Sequence, residues 1–469
     1  MKVMMLGWEY PPHITGGLGT ACKGLTQALA QLGIKIDFVV PHIFGDEEAR
    51  HMNLIEASRT ITTSASTIKL PLLEEGGTHY YDIEADELPE TTSPSPKIST
   101  FAVPAVLSPY WNEQTYLQHI EHIKQLSSEE IDKFLPAELF PEMHCRNATR
   151  QLNHKRTSGY GGDLFTEIEL YARNVLKLVG RRRFDLIYAH DWITFPAAIA
   201  LKNASKKPLI VHLHSLEADR SGASGNPRIR MLEARGIRAA DKIIAVSQYT
   251  ASMIAREYGI NESEITVVHN GMDPKKPHRA SNQLYREIKR NIVLFLGRIT
   301  HQKGPGYFIE AAKRVLNELP DTTFVMAGSG DMLSAMITKT RELGILNNFK
   351  FTGFLKGTEV EEMYRASKLY VMPSVSEPFG LTALEAINYD VPVIVSKTSG
   401  VAEVLNHVMK TDYWDVKKLA DMIISILKNE QLGKTIVAES QKDIKNLRWE
   451  LSAKRINHIF DTLVKTYNS

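Results

Sequence analysis

The chain has 469 residues, too many for one compact core, so two or more domains are expected. Apolar residues make up 43% and charged residues 23%, the balance of an ordinary globular protein, and a net charge of +2 gives no global reason to expect nucleic acid as a partner. Cys22 and Cys145 are the only cysteines, which excludes a disulfide framework or a cysteine metal cluster and fits a reducing compartment.

The amino terminus, Met1-Lys2-Val3-Met4-Met5-Leu6-Gly7-Trp8-Glu9, has too short an apolar run for a signal peptide and reads as a first buried strand, 3–6. No apolar run approaches the ~20 residues of a membrane helix, so no integral membrane segment and a cytoplasmic location are expected. Gly16-Gly17-Leu18-Gly19 is a loop, 20–32 has helical periodicity stopped by Gly33, and 36–40 is a second strand. This is a β-α-β unit, and such units build parallel sheets. From 44 to 162 the pattern degrades. Stretches 61–70 and 97–103 are candidate strands, 120–135 is a polar candidate helix, and the Ser/Thr/Pro-rich run 89–96 is an exposed loop.

Regular alternation returns with helices at 164–179, 195–202, 229–239 and 248–258 and strands at 185–189, 208–213, 242–246 and 265–268. Pro274-Lys275-Lys276-Pro277-His278-Arg279 has the make-up of an interdomain linker. A second set then has strands at 291–296, 323–327, 349–352, 369–372 and 391–396, with helices at 305–319, 332–343, 360–366 and 381–388 and a helical tail from 416. Two similar-sized β/α domains facing across a cleft are expected.

The most informative stretch is Ser376-Glu377-Pro378-Phe379-Gly380-Leu381-Thr382-Ala383-Leu384-Glu385-Ala386. Pro378 and Gly380 break the chain just before a run of good helix formers. The first amides of that helix point back toward Glu377, a site for a phosphate with a carboxylate beside it to grip sugar hydroxyls. Glu385, about one turn into the helix, is placed to reach a ribose. The plainer alternative is that Thr382-x-x-Glu385 is a capping box, and the residues alone leave both readings open.

The glycines of 16–19 let backbone amides approach a ligand, although no G-x-G-x-x-G stands there and a plain tight turn is the alternative. Gly297-Arg298-Ile299-Thr300-His301-Gln302-Lys303-Gly304 follows the first strand of the second domain. Strand ends face the ligand crevice in open β/α sheets, so Arg298 and Lys303 would overhang it and suit a departing diphosphate. Two solvated loop cations are the alternative.

His190, in Tyr188-Ala189-His190-Asp191-Trp192, ends a strand and would face the same crevice, able to donate to a sugar hydroxyl or bridging oxygen. Asp191 could orient it or cap the following helix. No partner at ligand spacing marks His190 as a metal ligand. His212 and His214 share a face of an extended chain, toward either the crevice or the core. Arg181-Arg182-Arg183 is a solvated helix end or a contact for an anionic surface. Asp-x-Asp is absent, so phosphate charge would fall to Arg298, Lys303 and helix dipoles, and no metal is expected.

In this order, the glycine loop, Ala189-His190-Asp191-Trp192, His269-Asn270-Gly271-Met272-Asp273, Gly297-Arg298 with Lys303-Gly304, and Glu377-x7-Glu385 resemble the retaining glycosyltransferases of the GT-B type. The similarity is to the family of bacterial glycogen synthases, sucrose and sucrose-phosphate synthases and many α-glucosyl and α-mannosyl transferases (family 4 type). Trp8-Glu9-Tyr10-Pro11-Pro12 makes it similar to glycogen synthase-like members. The resemblance covers nearly all of the chain outside roughly 46–160. There are two departures. Ile14 stands where starch and glycogen synthases of the other main type carry a lysine, and Thr398-Ser399-Gly400-Val401 replaces their Ser-Thr-Gly-Gly.

The resemblance implies an α/β GT-B fold of two Rossmann-like β/α/β domains. These are 1–274 for the acceptor, with an insertion at about 46–160, and 275–447 for the nucleotide sugar. The helix of 448–469 crosses back to the first domain. It implies catalytic roles for His190, Arg298, Lys303 and Glu377, and donor binding by Gly16, Gly17, Phe379, Gly380, Leu381, Thr382 and Glu385. It implies no cofactor and no metal. The partners would be a nucleotide sugar, ADP-glucose or UDP-glucose, and an oligo- or polysaccharide acceptor. The reaction would be retaining hexosyl transfer, with elongation of an α-1,4-glucan as its specific form. Mannosyl or glucosyl transfer to another acceptor, a nucleotide-sugar epimerase and a non-catalytic binder are the alternatives.

Overall fold

The computed structural model describes residues 1–12, 17–43, 45, 47–57, 68–71, 80–83, 164–179, 182–273, 291–355 and 357–468. Expectations for 97–103, 120–135, 89–96, Gly16, Ile14, Arg181, Cys145 and the linker at 274–279 lie outside those residues.

The first sheet draws on both sides of the long 58–163 stretch. Its elements begin with β1 (Lys2–Leu6), α1 (Gly17–Gln31), β2 (Lys35–Val40) and β3 (Asn53–Glu56). A separate antiparallel pair, β4 (Ile68–Pro71) and β5 (Tyr80–Ile83), follows. Then come α2 (Leu164–Val179), β6 (Leu186–His190), α3 (Phe195–Ser205), β7 (Leu209–Leu213), α4 (Glu217–Ser221), α5 (Pro227–Ala239), β8 (Lys242–Ala245), α6 (Gln248–Tyr258) and β9 (Ile265–Val267). The strands pair in parallel in the order β3-β2-β1-β6-β7-β8-β9. The order reverses at β1 and β6, the switch point at which open α/β sheets hold their ligands.

The second sheet has the order β12-β11-β10-β13-β14-β15, also parallel. Its elements are β10 (Ile292–Leu296), α7 (Pro305–Glu318), β11 (Thr323–Ala327), α8 (Leu333–Glu342), β12 (Phe349–Gly353), α9 (Thr358–Ala366), β13 (Leu369–Met372), α10 (Leu381–Asn388), β14 (Val393–Ser396) and β15 (Met409–Thr411). Three helices close the chain: α11 (Val416–Lys428), α12 (Glu430–Ile444) and α13 (Trp449–Asn468). Both sheets carry helices on both faces, which is why their strands read as continuous apolar runs and not as alternating ones. The sequence reading missed β3, β5, β15 and α4, of three to five residues each, too short for a periodic pattern to emerge.

The terminal helix leaves the second domain and packs on the first. Trp449, Ala453, Ile456 and Phe460 are buried with Val3, Met5, Leu25 and Tyr188 in one apolar cluster. Fully burying side chains of this size stabilises by roughly 1.5–3 kcal/mol each, so α13 ties the domains together strongly. The chain crosses between domains twice at one place. The amide of Met272 donates to Leu447 O at 2.9 Å, and Ser452 Oγ donates to His269 O at 2.6 Å.

Candidate functional site

Two loops of the second domain bring distant residues together. After β10 the chain turns through Arg298 to Lys303, and Gly304 takes a left-handed φ of 66° before α7 begins. A Cβ at residue 304 would lie 2.1 Å from Pro373 O, so the loop after β13 passes directly over this glycine. The amide of Val375 donates to Gln302 O at 2.9 Å. With the loops locked in this way, Lys303 Nζ lies 2.5 Å from Glu377 Oε2, 74 residues along the chain. Ser374 Oγ donates to the same oxygen at 3.2 Å. Arg298 is half-buried on the same loop, and its Nη2 donates to Gln302 Oε1 at 2.9 Å.

Glu377 is 6% exposed. Its backbone is fixed by the segment that replaces Ser-Thr-Gly-Gly: its amide donates to Thr398 O at 2.9 Å, and Gly400 donates to its carbonyl at 2.8 Å. Phe379 is buried, with its ring stacked 5.9 Å from that of His269. Gly380, at φ 113°, starts α10, and no side chain caps that helix. This overturns the capping-box alternative. Thr382 Oγ1 accepts from Tyr370 Oη at 2.7 Å, and Glu385 Oε2 accepts from Tyr364 Oη at 3.1 Å. The amino end of α10 therefore has neither carboxylate turned onto its amides, which leaves it suited to an anion.

The amino end of α1 reaches this helix end, and Gly17, Leu18 and Gly19 belong to that helix and not to the expected loop. Leu381 packs against the cores of both domains, and a Cβ at Gly17 would lie 3.8 Å from Leu381 Cδ1.

His190 ends β6 and is wholly buried. In the parallel register His190 lies opposite His212, and His190 Nδ1 is 2.9 Å from His214 Nε2. The three rings form one cluster, so His190 has in the fold the histidine partners that no ligand spacing along the chain showed. Neighbouring strands pair residues that are far apart in the chain, and no spacing rule sees that. Burial holds all three imidazoles well below the ordinary histidine value, His214 at about 3, and so neutral.

Asp191 neither caps the next helix nor bonds the His190 ring. It has a φ of 59°, an unusual backbone for a non-glycine residue. Its Oδ1 accepts from the amides of His214 at 2.6 Å and Ser215 at 3.4 Å. Burial pushes its carboxyl up to about 7, and that of Glu385 likewise to about 7.

Several site residues carry no signal in the sequence. Ser376 Oγ lies 2.5 Å from Asp219 Oδ1 and 2.8 Å from Tyr249 Oη, which fastens the loop beside Glu377 to the first domain. Ser247 Oγ donates to Pro378 O at 2.5 Å. Tyr364 and Tyr370 hold Glu385 and Thr382 from below. Each is an ordinary apolar position by periodicity, and only the fold turns its hydroxyl to the site.

Three family models match successive stretches: "Starch synthase catalytic domain" at 2–97, "Glycosyltransferase Family 4" at 141–276, and "Glycosyl transferases group 1" at 278–443. An uncharacterised glycosyltransferase of Methanocaldococcus jannaschii is 25% identical over 98% of both chains. A glycogen synthase of Mycobacterium tuberculosis is 32% identical over 227 residues, a match that spans 47% of this chain and 54% of that enzyme. Among solved structures, sucrose-phosphate synthase from Thermosynechococcus elongatus superposes with a TM-score of 0.66 over 99% of both chains at 16% identity, a likeness of fold. With paired parallel sheets bridged by a terminal helix, the chain has the GT-B fold, and its stretches 141–276 and 278–443 are similar to the family 4 and group 1 glycosyltransferases.

Proposed function

We propose that this protein moves a hexose, namely glucose, from a nucleotide sugar to a carbohydrate acceptor with retention of anomeric configuration, and that it elongates an α-1,4-glucan. The observation that carries the reading is the meeting of Lys303 and Glu377 at 2.5 Å beside the uncapped start of α10. A cation, a carboxylate and free helix amides at one point are what a sugar diphosphate requires. The match to a glycogen synthase supports glucose and a glucan.

In this proposal Arg298, Lys303 and the amides of Gly380, Leu381 and Thr382 receive the diphosphate. Glu377 accepts from sugar hydroxyls, with Phe379 packing behind it, and Glu385 accepts from the ribose. Gly16 and Gly17 belong to the donor-binding set. His190 contacts the sugar, and its full burial means that donor binding must uncover it. The bond from the anomeric carbon to the diphosphate oxygen breaks as the acceptor oxygen bonds on the same face. The leaving oxygen takes the acceptor proton, so no base carboxylate is needed. The residues act by stabilising the departing charge and holding the acceptor close.

The test is a screen of ADP-, UDP- and GDP-glucose and GDP-mannose with maltooligosaccharide, reading the nucleoside diphosphate released and the anomeric coupling of the product by NMR. An α-linked, glucose-extended product is expected. An inverted linkage, or an epimer formed without acceptor, would overturn the reading.

A further inference from the structure

The histidine cluster has a property that sugar binding does not use. His190 Nε2, His212 Nε2 and His214 Nδ1 are all buried without a hydrogen-bond partner. Buried ring nitrogens are ordinarily satisfied, so three orphans in one cluster call for a missing partner. One ring nitrogen from each of the three residues lies within 4.8 Å of the other two.

The rings are also spaced for an ion. With metal–nitrogen bonds of about 2.0–2.1 Å and tetrahedral angles, three ligating imidazoles have centroids about 5 Å apart. Here the separations are 5.5 Å for His190–His212, 5.2 Å for His190–His214 and 4.2 Å for His212–His214. One pair must open by about 1 Å to reach that geometry. An outer contact orients one of the rings, as around established metal sites. Tyr188 Oη lies 2.5 Å from His212 Nδ1, which leaves Nε2 for a ligand. Asp191 Oδ1 accepts from the amide of His214 and holds that residue's backbone in place.

We propose that His190, His212 and His214 form a binding site for a zinc-class divalent cation, three imidazoles with a fourth position open. Three neutral nitrogen ligands suit zinc, cobalt(II) or nickel(II) and not magnesium or calcium, which take oxygen. Under the sugar-contact role proposed for His190, the bound ion competes with the donor sugar and slows transfer. Cation binding itself does not depend on that role.

The test uses the full chain without a histidine tag. Zinc titration calorimetry is expected to give one tight site per chain, and cobalt(II) a visible d–d band with hyperfine-shifted ring N–H signals from three histidines. His212→Ala and His214→Asn, checked for folding by circular dichroism, are each expected to weaken zinc at least about tenfold. The exposed control His458→Ala should leave affinity unchanged. No stoichiometric zinc binding by the wild type, fewer than three shifted histidines, or wild-type affinity in a folded His212→Ala or His214→Asn chain would overturn the site. Zinc that binds as expected without slowing transfer would leave the cation site standing and remove His190 from sugar contact.

Discussion

Glu403 of the second domain closes the amino end of the first-domain helix that begins at Gln248. Its Oε1 accepts from the amide of Gln248 at 2.8 Å, and its Oε2 from that of Tyr249 at 3.2 Å. His269 Nε2 lies 2.6 Å from the same carboxylate. A side chain from one domain thus satisfies the helix amides and positive dipole end of the other. Glu403→Ala is expected to cost about 1 kcal/mol of stability and to loosen the domain pair. Small-angle scattering should show a larger radius of gyration than for wild type, and chemical denaturation a lower midpoint. Unchanged scattering would mean that the terminal helix and the loop at Pro378 hold the domains unaided.

The Lys303–Glu377 pair makes a separate prediction. Lys303→Ala leaves a nearly buried carboxylate without its cation. Because the lysine is 20% exposed, the cost falls below that of a fully buried pair, at about 1–3 kcal/mol. Turnover should fall by about 10²–10³-fold if the lysine also stabilises the leaving diphosphate, and Arg298→Ala should fall similarly with little change in stability. Steady-state kinetics beside thermal unfolding separates the two effects. Near-normal turnover in both variants would remove the pair of cations from the reaction.

Glu385 and Asp191 link stability to pH. Burial raises both folded-state carboxyls to about 7, from ordinary values of 4.5 and 3.8. The folded chain therefore holds more protons than the unfolded chain between those limits. Their contribution to stability is fully present below the unfolded values, falls as pH rises, and is lost once pH passes about 7. Urea midpoints should decrease from pH 5 toward pH 8 by an amount that Glu385→Gln reduces, taking those pH values as roughly bracketing the carboxyl titration. Nucleoside diphosphate binding should show the opposite trend, tightening as Glu385 ionises to accept from a ribose. Calorimetry of Glu385→Gln should then be flat across the same range.

Trp449 occupies the space that a side chain at residue 24 would need. A Cβ on Gly24 would lie 2.1 Å from the Trp449 indole, well inside contact. Gly24→Ala should push the terminal helix outward and cost about 1–3 kcal/mol by overpacking. Trp449→Ala should cost about 3–5 kcal/mol through the cavity it leaves. Urea unfolding measures both. If Gly24→Ala is neutral, the helix adjusts freely, and its docking is not a rigid tie.

Much of the fold was legible in the residues. Strands at 323–327 and 369–372 and helices at 248–258 and 381–388 coincide with Thr323–Ala327, Leu369–Met372, Gln248–Tyr258 and Leu381–Asn388. Each is a periodic or continuous apolar run bounded by glycine, proline or a capping serine, so its signal is local. Edge strands such as Met409–Thr411 escaped because three residues cannot display a period.

Local order thus wrote the alternation of strands and helices, the two-domain plan and the chemical kinds of residue at the strand ends. These follow from periodicity and backbone preference, which act over a few neighbouring residues. The partners of those residues came from folding alone. Glu377 meets Lys303 because β10 and β13 are adjacent, His190 meets His212 and His214 because β6 lies beside β7, and Glu403 meets Gln248 across the domain boundary. Hydrogen-bonded neighbours in a parallel sheet are separated by a whole helical crossover, so their meeting depends on strand order and register, which no short stretch of chain encodes.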